Sequence, residues 1–179
     1  MIDSNYDLVE EPEVAFTEVP YSHDCRHIIT QLTTDDQQIY VTNYDTSSGW
    51  TVTISANDPT STWSNGEYGF DFNDPSGDGC VDGDDPDTLA GSMEIYTESA
   101  LLDSWLCLNC STDSVHRVPV WVFDEQGWVN SVTLLYATID ADHRGDWLMS
   151  DIMVHQTIPA SQPAIGDYEI PLLLSITAN

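Results

Sequence analysis

Trp50-Thr-Val-Thr-Ile-Ser55 alternates apolar and polar side chains without a break, which is the pattern of a strand with one buried face and one wet face. The same pattern recurs outward from it. Val14–Val19, Arg26–Leu32 and Gln38–Tyr44 precede it, rich in β-branched and aromatic residues and separated by polar turns such as Thr34–Gln37 and Asp45–Gly49. Ser92–Thr97, Arg117–Phe123, Trp128–Tyr136, Asp151–Thr157 and Tyr168–Thr177 follow it. No stretch sustains helical periodicity, and only Ala100 to Leu106 reads as helical turns. Many short strands with Gly, Pro and Asp turns predict an all-β fold, an antiparallel β-sandwich of about nine or ten strands. Residues 1–12 read as a flexible or extended N-terminal arm and residues 13–179 as one sandwich domain, with no repeat and no linker.

A long insertion separates the Trp50 and Ser92 strands, and within it runs Asp74-Pro-Ser-Gly-Asp-Gly-Cys-Val-Asp-Gly-Asp-Asp85. Numbered as a twelve-residue cation loop, it places Asp74, Ser76 and Asp78 at positions 1, 3 and 5. Gly79 falls at the sharp turn of position 6, the Cys80 carbonyl at 7, Asp82 at 9 and Asp85 at 12. This is the spacing that gathers six or seven oxygens around a hard cation, so Ca2+ is the expected cofactor. The loop resembles that of EF-hand and dockerin proteins, with Asp in place of Glu at position 12, which shortens the bidentate arm. No amphipathic helix leads in, since Glu67–Asn73 reads as strand and turn, and Pro86 and Gly91 bracket the residues that follow. The expectation is a calcium loop grafted onto a β domain, with Asp71, Asn73, Asp84 and Asp87 as outer-shell or alternative ligands.

Charge bounds the partners. Three arginines and no lysine stand against 31 acidic residues, a formal charge of −28. Nothing in such a chain neutralises phosphates, which argues against nucleic acid and against an anionic membrane surface. The acids are spread between apolar strands rather than massed in a tail, so an extracellular or cell-surface setting rich in cations is expected. The opening Met1-Ile-Asp-Ser-Asn-Tyr-Asp7 is too acidic for a signal peptide or a membrane span; an exported chain would have lost its leader or use another route. Cys25, Cys80, Cys107 and Cys110 predict two disulfides in an oxidising compartment, with three connectivities open. Cys107-Leu-Asn-Cys110 has redox or zinc-knuckle spacing, but no βαβ unit and no second such pair accompanies it.

Two passages carry a family resemblance: Gly49-Trp-Thr-Val-Thr-Ile54, and the C-terminal run from Ile158-Pro through Gly166-Asp-Tyr168 into Leu172-Leu-Leu-Ser-Ile176. Together they resemble the Gly-Trp strand and closing strand of WxL-type bacterial cell-surface β-sandwich domains. The second tryptophan motif of that family is replaced by Leu172-Leu-Leu174. The resemblance implies a surface-displayed sandwich.

The five histidines are scattered and no Gly-x-Ser-x-Gly elbow marks a nucleophile, so a non-enzymatic role is expected. Two functions fit. In the first, the chain is a structural or adhesive module that self-associates or joins other surface proteins, with the Val14–Phe16 segment or the final apolar strand lent to a neighbour's sheet as in fibres. In the second, it binds glycan by aromatic stacking, with Trp63 and Trp147 in loop-like surroundings as the platforms and Trp50, Trp121 and Trp128 in the core.

Overall fold

A computed structural model of the chain describes residues 1–44, 48–57, 60–75, 78–83, 87–105, 110–123, 131–139, 144–164 and 167–179. The expected all-β antiparallel architecture is what the chain adopts. Thirteen strands occur among the described residues, nine of them five residues or longer. The first sheet runs β1 (Arg26–Gln31), β12 (Met153–Ile158), β6 (Ser92–Tyr96), β9 (Val120–Val122). The second runs β13 (Leu172–Ala178), β3 (Trp50–Ala56), β10 (Ser131–Ala137), β8 (His116–Arg117). A third joins β2 (Ile39–Asn43), β11 (Gly145–Ser150) and β7 (Leu101–Trp105), and a short hairpin pairs β4 (Trp63–Ser64) with β5 (Gly69–Phe70). No helix is long and apolar enough to cross a membrane among the described residues.

Alternation sets the inner faces. Trp50, Val52 and Ile54 of β3, Met93 and Ile95 of β6, Val154 of β12, and Val41, Trp147 and Met149 of the third sheet share one core. A bulge in β10 between Thr133 and Leu135 turns two consecutive leucines, Leu134 and Leu135, into that core. The two passages that carry the family resemblance become neighbours, since β13 pairs with β3 along its whole length from Leu172↔Ala56 to Ala178↔Trp50.

Four local expectations change. Of the stretch expected as helical turns, Leu101–Trp105 is a strand on β11 and Leu106 lies outside the described residues; the only helical turn among the described residues is a 3-10 turn at Thr112–Ser114. Arg117–Phe123 is divided between two sheets, because Pro119 cannot donate to a ladder and the chain crosses there from β8 to β9. The first nine residues are tied down rather than free: Ile2 is buried and exchanges both backbone hydrogen bonds with Gln38, and Val9 N–H donates to Met1 O. Asp3 shapes that turn by accepting the Asp7 and Asn5 amides, which hold its carboxyl below the usual range. Val14–Val19, expected as a strand, belongs to none.

Candidate functional site

Residues 10–21 make no backbone–backbone hydrogen bond among the described residues, although they run along the opening between β1 and β13. Both of those strands are sheet edges, β1 paired only to β12 and β13 only to β3. Pro12 and Pro20 bracket the segment and lack amide donors. It is held by side chains instead. Val14 and Phe16 point to the core two residues apart, as an extended chain dictates, and Phe16 meets the edge of Trp63 at 5.8 Å between ring centroids. Two polar contacts add to this: the Glu13 amide donates to Gln37 Oε1 at 3.0 Å, and Thr30 Oγ1 donates to Ala15 O at 2.7 Å.

Beneath the segment lies a groove of about 1280 Å³, walled by Ile28, Ile54, Met93, Val154, Gln156 and Leu174. The groove opens to solvent along the segment, whose own residues form its outer wall. Its floor is an aromatic rail. Trp63 stacks on Phe70 at 5.9 Å, and Phe70 meets Tyr168 at 5.3 Å. Trp63 Nε1 donates to the buried Gln156 Oε1 at 2.8 Å, and the Gln156 amide is in turn satisfied by the Thr157 and Asp71 carbonyls. Burial pushes the Tyr168 hydroxyl up, and it donates to Pro163 O.

The insertion is fastened in the opposite manner. Asp71 N–H donates to Ala90 O, Asp74 N–H to Gly91 O, and Met93 N–H to Phe72 O. Gly79 has φ +70°, and a Cβ there would stand 2.5 Å from the Ser92 amide nitrogen, so only glycine fits. Ser92 Oγ donates to Asp78 O at 3.2 Å, and Cys80 is disulfide-bonded to Cys25 at the foot of β1. Of the expected cation ligands, Asp74 is buried and accepts the Gly83 amide on Oδ2 at 3.1 Å. Asp78 is exposed and accepts the Cys80 amide at 3.0 Å; Asp82 is exposed. These three carboxylates are not gathered within 4.8 Å of one another. Gly79 has the left-handed turn that position 6 demands. Ser76 and Asp85, with Asp84, lie outside the described residues, as do Cys107, Trp128 and His143. Cys110 is oxidised.

The two tryptophans expected to stack on sugars are core residues. Trp147 is 1% exposed because the chain enters β11 already at Gly145, and its alternation turns the ring inward between Val41 and Ser104 as register partners. Trp63 is 9% exposed, its ring covered by Phe16 and Phe70. Trp50 is buried as expected, whereas Trp121, expected in the core, is 39% exposed on the short edge strand β9. The stacking reading thus loses both its platforms.

One polar cluster escaped sequence reasoning. Asp146, buried on β11, accepts Thr42 Oγ1 at 2.6 Å and Tyr44 Oη at 3.1 Å. The hydrogen bond to Asp146 raises the Tyr44 hydroxyl above its ordinary range, and burial followed by the same carboxylate raises that of Tyr40. The alternation of Tyr40, Thr42 and Tyr44 along and just beyond β2 was the available signal, but nothing marked Asp146 as the register partner of Thr42. No protein-family model, curated protein or solved structure matches the chain.

Proposed function

We propose that this chain is a non-enzymatic module of the cell exterior that associates by exchanging its N-terminal segment with a neighbour. The observation that carries the reading is the open groove between β1 and β13, covered by a segment with two inward apolar side chains and no ladder hydrogen bonds. A strand seated between two unpaired edges gains main-chain hydrogen bonds that the resident segment does not make, which is the physics of strand addition. Exchange of an identical element costs little, because each copy recovers in its partner the contacts it gives up. Acidity tunes this. Glu10, Glu11, Glu13 and Glu18 lie in a segment that docks on a body of strongly negative charge, so low ionic strength favours its release and cations favour its docking.

Calcium belongs to the reading as a stiffener of the insertion, with Asp74, Ser76, Asp78, Asp82 and Asp85 as side-chain ligands and the Cys80 carbonyl as the seventh-position oxygen. Binding would draw together carboxylates that stand apart without it. The adjacency of β3 and β13, which bear the motifs resembling WxL-type domains, supports a surface-displayed sandwich. Sedimentation velocity tests the assembly directly, with the intact chain in millimolar calcium, in chelator, and with residues Met1–Val19 deleted. Larger species from the intact chain, absent from the deletion and restored by no added calcium, are expected. Equal association of the truncated chain overturns the reading.

A further inference from the structure

The tether that holds the insertion carries a second chemistry. Cys25 and His27 stand two residues apart at the start of β1, so both side chains project from the outer face of the first sheet, where Cys80 arrives from the insertion. His27 Nε2 lies 4.0 Å from Cys80 Sγ. The other ring nitrogen, Nδ1, lies 3.0 Å from Oγ1 of Thr157, the register partner of His27 on β12. Ligand atoms of Cys25, His27 and Cys80 all fall within 4.8 Å of one another, the only such group among the described residues. His27 is exposed and the two cysteines are half-buried, so reductant and ion have access.

We propose that reduction of the Cys25–Cys80 disulfide converts this corner into a three-ligand site for a zinc-type divalent cation. The step balances with a dithiol as reductant. Its two electrons and two protons break the S–S bond to two thiols, and the dithiol leaves as its own disulfide. The entering cation displaces the two thiol protons and binds both thiolates and the imidazole Nε2. Zinc bonds thiolate at about 2.3 Å and imidazole at about 2.0–2.1 Å, which puts ligand atoms of one tetrahedron roughly 3.4–3.8 Å apart. In the tautomer with the proton on Nδ1, the 3.0 Å contact to Thr157 Oγ1 is a donation from the ring and the Nε2 lone pair is left for the metal, the outer-shell arrangement that metal-binding histidines share. Two sulfurs and one nitrogen favour zinc over the hard cation proposed for the insertion. The metal then replaces the covalent link, and the insertion stays fastened in either redox state.

The test uses the intact chain, reduced with a phosphine under argon and titrated with Co2+ as the spectroscopic stand-in for zinc. One equivalent should give a thiolate-to-cobalt charge-transfer band that zinc bleaches, with Cys25 and Cys80 shielded from alkylation in the zinc form. Cys80→Ser should abolish the band, and Thr157→Val should weaken binding about tenfold while leaving disulfide formation in air unchanged. Cys110→Ser should leave the band intact, which separates this site from the other cysteines. His27→Gln should weaken binding more than Thr157→Val does. A band that survives Cys80→Ser, or is indifferent to His27→Gln, overturns the proposal, and so does a reduced chain that loses its sheet circular dichroism and binds no cobalt.

Discussion

Two irregular segments lie against the same sandwich, and they are held by opposite means. The insertion from Asp71 to Gly83 is fastened by backbone hydrogen bonds to Ala90, Gly91 and Met93, by a glycine that tolerates no side chain, and by a disulfide to Cys25. The segment from Glu10 to Tyr21 is held by Val14, Phe16 and two side-chain-mediated hydrogen bonds, over a groove open to solvent. Main-chain ladders and covalent links make a segment permanent; apolar side chains alone leave it replaceable by any chain offering the same side chains and better hydrogen bonding. On the proposed function, this difference leaves the insertion to stability and the N-terminal segment to exchange.

Removing the fastener should be the largest perturbation. Cys80→Ser opens a disulfide spanning 55 residues, and a loop of that order contributes about 2–4 kcal/mol by restricting the unfolded chain. Thermal unfolding should drop accordingly while association by the N-terminal segment is unchanged. A Cys80→Ser chain that no longer associates would merge the two regions into one device. Phe16→Ala should cost less stability, about 1–3 kcal/mol for a partly buried aromatic, yet suppress association far more than Cys80→Ser does. Equal association by the Phe16→Ala variant in sedimentation would break the contrast. Gly79→Ala should cost on the order of 1–3 kcal/mol, through a left-handed backbone and a clash with the Ser92 amide. It should also lower calcium affinity, as should Asp78→Ala with little change in unfolding; calorimetric titration measures both.

The smallest effect lies outside both regions and serves as a control. Tyr96 Oη donates to Glu94 Oε2 at 2.5 Å, and that bond, with some burial, pushes the phenol up to about 12 from its ordinary 10. A folded-state value above the unfolded one stabilises the fold fully below pH 10, and the contribution is lost as pH rises through about 12. Ultraviolet titration of tyrosinate should show a component near pH 12 that Tyr96→Phe removes, with association and calcium binding unaffected.

The strands were legible where alternation is strict. Trp50–Ser55, Ser92–Thr97 and Gln38–Tyr44 fall within a residue or two of β3, β6 and β2, since one face of each is buried and the other is wet. The misreadings share a cause, which is that local text does not say which sheet a strand joins. Trp147 reads as loop because Arg144-Gly-Asp precedes it, but pairing on both sides by β2 and β7 buries it. Val14–Val19 reads as strand because its residues suit one, yet among the described residues no strand backbone hydrogen-bonds to it. Of the candidate sites, the Gly79 turn and an oxidised Cys80 were visible in the spacing of Asp74–Asp85. The partnership of Cys25, His27 and Cys80 depends on β1–β12 pairing and on where the insertion returns, which no spacing encodes.

Amide hydrogen exchange across the intact chain tests the central claim most directly. In dilute monomer the amides of Val14–Val19 should exchange at nearly free rates, while those of Asp71, Asp74 and Met93, which donate to the backbone, are protected. At concentrations where larger species form, the Val14–Val19 amides should become protected as they enter a ladder. Protection of those amides already in the monomer, unchanged on assembly, would contradict the account.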